Sequence, residues 1–204
     1  MTGIEALGVR AAFGGRTVLD GVDLTAPAGS VTGVTGPSGS GKTTLLRVLA
    51  GLHAPDAGEL RYHGHPVPPR GSIALLAQHP RLVCNPRWTL RQIIGEPAAI
   101  RGETPPADVT ARVGLDDDLL DRHPGQVSDG QLQRACLGRV LTQRADFVLC
   151  DEPTAMLDPI ASAAVRTLLR DIAHGGATVI LVSHDPALIA ALTTDALALP
   201  RLLG

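Results

Sequence analysis

The chain has 204 residues, 44% of them hydrophobic and 19% charged, with a formal net charge of −2. That length suits one domain able to bury a sizeable core, and the mildly acidic balance excludes a general electrostatic attraction to nucleic acid or anionic lipid. No apolar run is long enough to cross a bilayer, and the start, MTGIEALGVR, lacks the charged and apolar regions of a signal peptide, so membrane association is expected to go through a partner protein.

The first half reads mainly as strands, at 4–12, 17–25 and 30–35, rich in β-branched and apolar residues and bounded by glycine. A helix is expected from Lys42 to about Ala50, stopped by Gly51. Short strand-like pieces follow at 59–62 and 72–77, flanked by Pro/Gly-rich stretches at 53–58 and 63–71. A third such stretch, 102–106, separates helical segments at 89–100 and 107–121, and another helix is expected over 128–143 with Ser128 as its N-cap. The pattern then alternates: strand 146–150, helix 159–173, strand 177–182, helix 186–192 and a last strand near 196–200. Short, fully apolar strands alternating with helices imply a parallel sheet covered on both faces, hence an α/β core with a helical insertion. Cys84, Cys136 and Cys150 are widely spaced, forming neither a metal knuckle nor an even disulfide set, and read as buried thiols. His63 and His65 fall in a Gly/Pro-rich turn and read as loop residues rather than metal ligands.

Residues 36–43, GPSGSGKT, match G-x-x-x-x-G-K-[ST] between an apolar strand, VTGVT, and a helix, LLRVLA. That context defines a phosphate-binding P-loop. Its glycines let the backbone wrap phosphate oxygens, with amides from about Gly39 to Thr44 converging on them; Lys42 reaches the β- and γ-phosphates and Thr43 offers its hydroxyl to Mg²⁺. In DFVLCDE (146–152) an apolar strand ends in adjacent carboxylates at the sheet edge where α/β proteins place ligands. Asp151 is positioned for the Mg²⁺ shell, while Glu152, pointing elsewhere, can orient a water and accept its proton. His184 and Gln78 each follow an apolar strand to the same edge, His184 for the γ-phosphate or the water, Gln78 for the metal or the water.

In the order GPSGSGKT, Gln78, VSDGQ, VLCDE, MLD, His184, nearly the whole chain resembles the nucleotide-binding domain of an ABC transporter. The resemblance implies the ABC ATPase fold: a P-loop NTPase core with a mainly parallel sheet, an N-terminal antiparallel β-subdomain, and an α-helical subdomain at about 84–143 inserted in a RecA-like core, all as one domain over 1–204. It implies Walker A at Gly36, Pro37, Ser38, Gly39, Ser40, Gly41, Lys42 and Thr43, with Thr44 beside it, and the Q-loop at Gln78. The signature falls at 127–131, Walker B at 148–151, the catalytic glutamate at Glu152, the D-loop at 155–158 and the switch histidine at His184. Phe13 matches the aromatic that stacks on adenine; read from the residues alone it is equally a strand aromatic of the core.

In this family each ATP lies between one P-loop and the signature of a second subunit. Ser128 lies 86 residues past Lys42, in the helical block rather than on the sheet edge, so Ser128, Gly130 and Gln131, together with Asp158 of the D-loop, would serve a nucleotide bound in trans through the amides and dipole of the helix start. One residue departs from the pattern: Asp129 replaces the first glycine of the usual LSGGQ. A carboxylate near γ-phosphate is repulsive, so Asp129 is expected to point aside, into a cap of its own helix. CNPRWTLRQIIGEP (84–97) is similar to a segment of peptide- and nickel-importer ATPases, where Arg87 and Trp88 would meet a permease helix; from the residues alone Trp88 is equally subdomain core.

Together these resemblances imply an ATP-hydrolysing subunit of an importer for peptides, nickel or metal–chelator complexes, using ATP and Mg²⁺. Its partners would be a second ATPase subunit, alike or paralogous, integral-membrane permeases and an extracytoplasmic substrate-binding protein, but no nucleic acid, and its place the cytoplasmic face of the cell membrane. A C-terminal extension common in that group is not expected. The rival readings are a non-transport ABC ATPase and a catalytically weak ATP-binding subunit of an asymmetric heterodimer.

Overall fold

The computed structural model describes residues 3–200, which form two sheets and six α-helices. Strands β1 (Ile4–Phe13) and β2 (Arg16–Ala26) make a hairpin turned by Gly14 and Gly15, both at positive φ. β4 (Ala57–Tyr62) pairs with the other edge of β1, giving an antiparallel sheet in the order β2-β1-β4. The second sheet, in the order β5-β6-β7-β3-β8, is parallel at every pairing; it contains β3 (Val31–Thr35), β5 (Ile73–Leu76), β6 (Phe147–Asp151), β7 (Thr178–Val182) and β8 (Asp195–Ala198).

The central strands are apolar at nearly every position because both faces are covered. Period-two alternation sends Val148, Cys150, Val179 and Leu181 into one core, with α5 (Pro159–His174), α6 (Pro186–Leu192) and the helical block. It sends Phe147, Leu149, Ile180 and Val182 into the other, with α1 (Lys42–Leu49) and the antiparallel sheet. The Tyr62 hydroxyl, buried in that second core, donates to the Leu49 carbonyl at 2.7 Å and ties β4 to the end of α1. Phe147 is fully buried edge-on to Tyr62. Phe147→Ala is expected to cost about 3–5 kcal/mol by denaturant titration, the range for deleting a core aromatic.

The helical block lies between β5 and β6. In it, α2 (Leu90–Ile100) starts on a Thr89–Gln92 capping box and packs on α4 (Asp129–Gln143) where Gly138 leaves room for Ile94. The helix read over 107–121 is not continuous. Only α3 (Val109–Arg112) is α-helical; Gly114 at φ 64° reverses the chain, and the carbonyls of Leu120 and Arg122 turn back to accept the first amides of α2. Satisfying those amides outweighs the apolar periodicity of Val109, Val113 and Leu120.

Candidate functional site

The loop from β3 into α1 is shaped by glycine. Gly36 and Gly41 have φ of 146° and 93°, and a Cβ at either would come within 3 Å of neighbouring atoms, Leu199 O in the first case and Val18 O in the second. The loop therefore closes tightly around the start of α1, whose first amides, those of Lys42, Thr43 and Thr44, have no partner within the helix. Lys42 Nζ donates to the carbonyls of Gly36 (2.7 Å) and Pro37 (2.9 Å), so its charge is held over the loop's mouth. Ser40 is buried beneath it.

Across from the loop, β6 delivers its two carboxylates in different directions. Asp151 accepts a 2.7 Å hydrogen bond from the Thr43 hydroxyl. Burial pushes its carboxyl above the ordinary range, only partly opposed by Thr43. Glu152 breaks from strand geometry into the left-handed region, φ 49°, with its amide on the Val182 carbonyl at 3.0 Å. That reversal aims its side chain at β7: Ser183 Oγ donates to Oε2 at 3.2 Å, and the His184 amide and Nδ1 meet Oε1 at 2.9 and 2.7 Å. A carboxylate only accepts, so this contact places a proton on Nδ1, and the largely exposed His184 ring lines the cavity.

These groups share one cavity of about 580 Å³, lined by Lys42, Thr43, Gln78, Asp151, Glu152 and His184 among others. The residues read from the sequence as phosphate, metal and water ligands thus meet in one place. They fit a polyphosphate with a divalent cation: clustered amides and Lys42 face the anion, and a buried carboxylate hydrogen-bonded to a threonine hydroxyl offers hard oxygen ligands. Ionised Asp151 is a cost to the empty fold that a cation offsets. Asp151→Asn is accordingly expected to melt no lower than wild type without nucleotide, yet to lose most of the rise in melting temperature that Mg²⁺ with ATP produces.

Of the expected nucleotide contacts, Phe13, Gly36, Pro37 and Ser40 are not among the residues lining this cavity, and neither are Ser128, Gly130, Gln131 and Asp158. Ser128 caps α4 in a capping box with Gln131, which leaves the amides of Asp129 and Gly130 unpaired within the helix. Gly130 is pressed to the D-loop: a Cβ there would lie 3.0 Å from the Met156 carbonyl. Asp158 caps α5 by accepting from the Ile160 and Ala161 amides, and pairs with Arg134 at 3.5 Å. Asp129 does not cap α4, as the sequence suggested; it pairs with Arg81, a residue the sequence reading passed over.

Phe13 is 44% exposed, stacked on His53 with ring centroids 4.3 Å apart, so it is not a core aromatic. Trp88 is half-buried against the helical-block core, while Arg87 is exposed. The three cysteines are free and buried; Cys84 and Cys136, 52 residues apart, have sulfurs 3.4 Å from each other. No group of three metal-ligating side chains stands together among the described residues.

Fold and loop geometry define a P-loop nucleotide-binding domain. A family model described as ABC transporter matches residues 19–155. The chain is 38% identical over 192 residues to the Fe(3+) ions import ATP-binding protein FbpC 1 of Rhodococcus jostii (strain RHA1), covering 89% of this chain and 55% of that protein. It is also 38% identical over 183 residues to the aliphatic sulfonates import ATP-binding protein SsuB 1 of Nocardia farcinica (strain IFM 10152), covering 89% and 71%. Among solved structures, an ATP-binding subunit of an ABC transporter superposes with a TM-score of 0.88 at 22% identity, over 97% of this chain and 86% of that one. A dimeric bacterial ABC transporter cassette superposes with a TM-score of 0.86, also at 22% identity, over 97% and 94%. The chain belongs to the ABC transporter family and has the ABC ATPase fold. It spans about half the length of its iron-import relatives.

Proposed function

We propose that this chain is the ATP-hydrolysing subunit of an ABC importer, working as a pair. The observation that carries the reading is the single cavity in which Lys42, Thr43, Asp151, Glu152 and His184 converge. Lys42 and the first amides of α1 hold the β- and γ-phosphates. Mg²⁺, when bound at Thr43 and Asp151 with Gln78 beside it, neutralises phosphate charge and orients the phosphates. Glu152 orients the attacking water and takes its proton; His184, anchored through Nδ1, presents Nε2 to the γ-phosphate. Phe13 offers the face not covered by His53 to adenine.

The second half of the site comes from a partner subunit. The amides of Asp129 and Gly130 at the start of α4, unpaired within the helix, lie outside the lining of the chain's own cavity, which supports their service to a nucleotide held by another copy or a paralogue. Peripheral attachment to a membrane through permeases is supported by a groove of about 350 Å³ beside Gln78, walled by Arg47, Leu52, Leu82 and Val83; Leu52 and Leu82 are 68% and 82% exposed. No described helix is long and apolar enough to cross a membrane itself.

The importer assignment follows the relatives, which are named for iron and sulfonates. Peptide, nickel or metal–chelator cargo is supported by the resemblance of residues 84–97, 122–141 and 151–158 to peptide- and nickel-importer ATPases. The cargo and an extracytoplasmic binding protein would be identified by pull-down of the subunits that copurify with the tagged chain. The activity is tested by Mg²⁺-dependent release of phosphate from ATP by the purified chain; no release above a heat-treated control, with or without its copurifying partners, would remove the reading.

A further inference from the structure

Two residues beyond Gln78, the segment Pro80–Leu82 makes a single 3₁₀ turn against α4. From it the Arg81 side chain crosses to the signature. Its Nε–H donates to an Asp129 carboxylate oxygen, Nη1 to the Pro124 carbonyl at 2.7 Å and Nη2 to the Val127 carbonyl at 2.8 Å. These three acceptors bracket Ser128, and a planar guanidinium that binds all three fixes their relative orientation as a flexible ammonium does not. Arg81 touches nothing in the cavity around Lys42. Asp129, at the first position of α4, is about half exposed. Left alone, its carboxylate would stand beside the free amides assigned to a partner's phosphate, where two negative charges a few ångströms apart repel.

We propose that Arg81 is a positioning residue of the composite ATP site. It holds residues 124–129 in the shape that presents Ser128 and the α4 amides, and it cancels the charge of Asp129 so that this helix end still accepts a polyphosphate in trans. Arg81 and Asp129 work as one unit that stands in for the missing glycine of the signature. Since Arg81 follows Gln78 by three residues, the same contact makes the signature move with the segment that leaves the cavity. The inference rests on the composite-site reading above.

The test compares wild type, Arg81→Ala, Arg81→Lys, Asp129→Gly and the double variant Arg81→Ala/Asp129→Gly, with Arg81→Gln as the substitute should Arg81→Ala fold poorly. Steady-state ATPase, ATP binding by the isolated chain, and amide hydrogen exchange over 124–131 are measured. Arg81→Ala is expected to lower kcat by about tenfold or more, the loss of charge-assisted hydrogen bonds, with ATP affinity of the isolated chain unchanged. Its amides over 124–131 exchange faster, even without nucleotide. Arg81→Lys is intermediate, Asp129→Gly stays within a few-fold of wild type, and the double variant regains the part of kcat lost to the uncompensated carboxylate while its amides over 124–131 still exchange faster. Wild-type kcat in Arg81→Ala, a change confined to KM, or a double variant no better than Arg81→Ala would each overturn the proposal. Absence of ATP hydrolysis in wild type would instead remove the composite-site reading, while the exchange measurement still reports whether Arg81 holds the signature loop.

Discussion

Glu152→Gln is expected to reduce ATP turnover by about 100- to 10,000-fold, the contribution of a positioned general base, while an ATP-dependent dimer becomes stable enough to isolate by size-exclusion chromatography. The amide keeps the size of the side chain: its oxygen can still accept from the His184 backbone, seen at 2.9 Å, and its NH2 can donate to the Ser183 hydroxyl, which in the wild type donates at 3.2 Å, so the fold is preserved. What it loses is the capacity to take a proton from water. With hydrolysis blocked, ATP bridges the two subunits without being consumed. A variant that turns over at near the wild-type rate would remove Glu152 from the base role.

Lys42→Ala and Ser128→Arg are each expected to be nearly inactive, and mixing them is expected to restore part of the activity. Among the described residues Lys42 bonds only to the Gly36 and Pro37 carbonyls of its own loop, so its removal spares the core. It takes away the charge over the phosphates and costs on the order of 100- to 1,000-fold in turnover, as for other preorganised charge-stabilising donors. Ser128→Arg leaves the P-loop intact and blocks the start of α4. In a mixed dimer one site combines the intact P-loop of the Ser128→Arg chain with the intact signature of the Lys42→Ala chain. Turnover by the mixture above the sum of the separate variants, measured as phosphate release, shows that the two elements act across subunits. A mixture no better than that sum contradicts it.

The catalytic half of this arrangement was legible in the sequence because its chemistry is local. GPSGSGKT carries both the glycines that bend the loop and the lysine and threonine that the loop presents, and the strands before Gln78, Glu152 and His184 are short apolar runs that end at one sheet edge. The Ser128 N-cap was equally readable, since a capping box lies within four residues. Three features were not readable, each for a physical reason. The order β5-β6-β7-β3-β8 depends on which strands pair across long separations, which apolar composition does not encode. The run 107–121 has helical spacing of apolar residues, yet Gly114 and the need of α2 for carbonyl partners break it. Arg81 draws on acceptors 43 to 48 residues away, and no periodicity or motif joins it to Asp129. Asp129 therefore looked like an isolated defect in the signature, the ground for reading the chain as a weak subunit. Its pairing with Arg81 supports a competent site instead.

In this arrangement each ATP needs two polypeptides. The most direct measurement is the specific ATPase activity of the chain, with its partner subunit if that is a paralogue, over a wide range of protein concentration at saturating ATP and Mg²⁺. Activity per subunit is expected to rise with concentration and level off as dimers form. Activity per subunit that stays constant down to concentrations where only monomer is detected would contradict it.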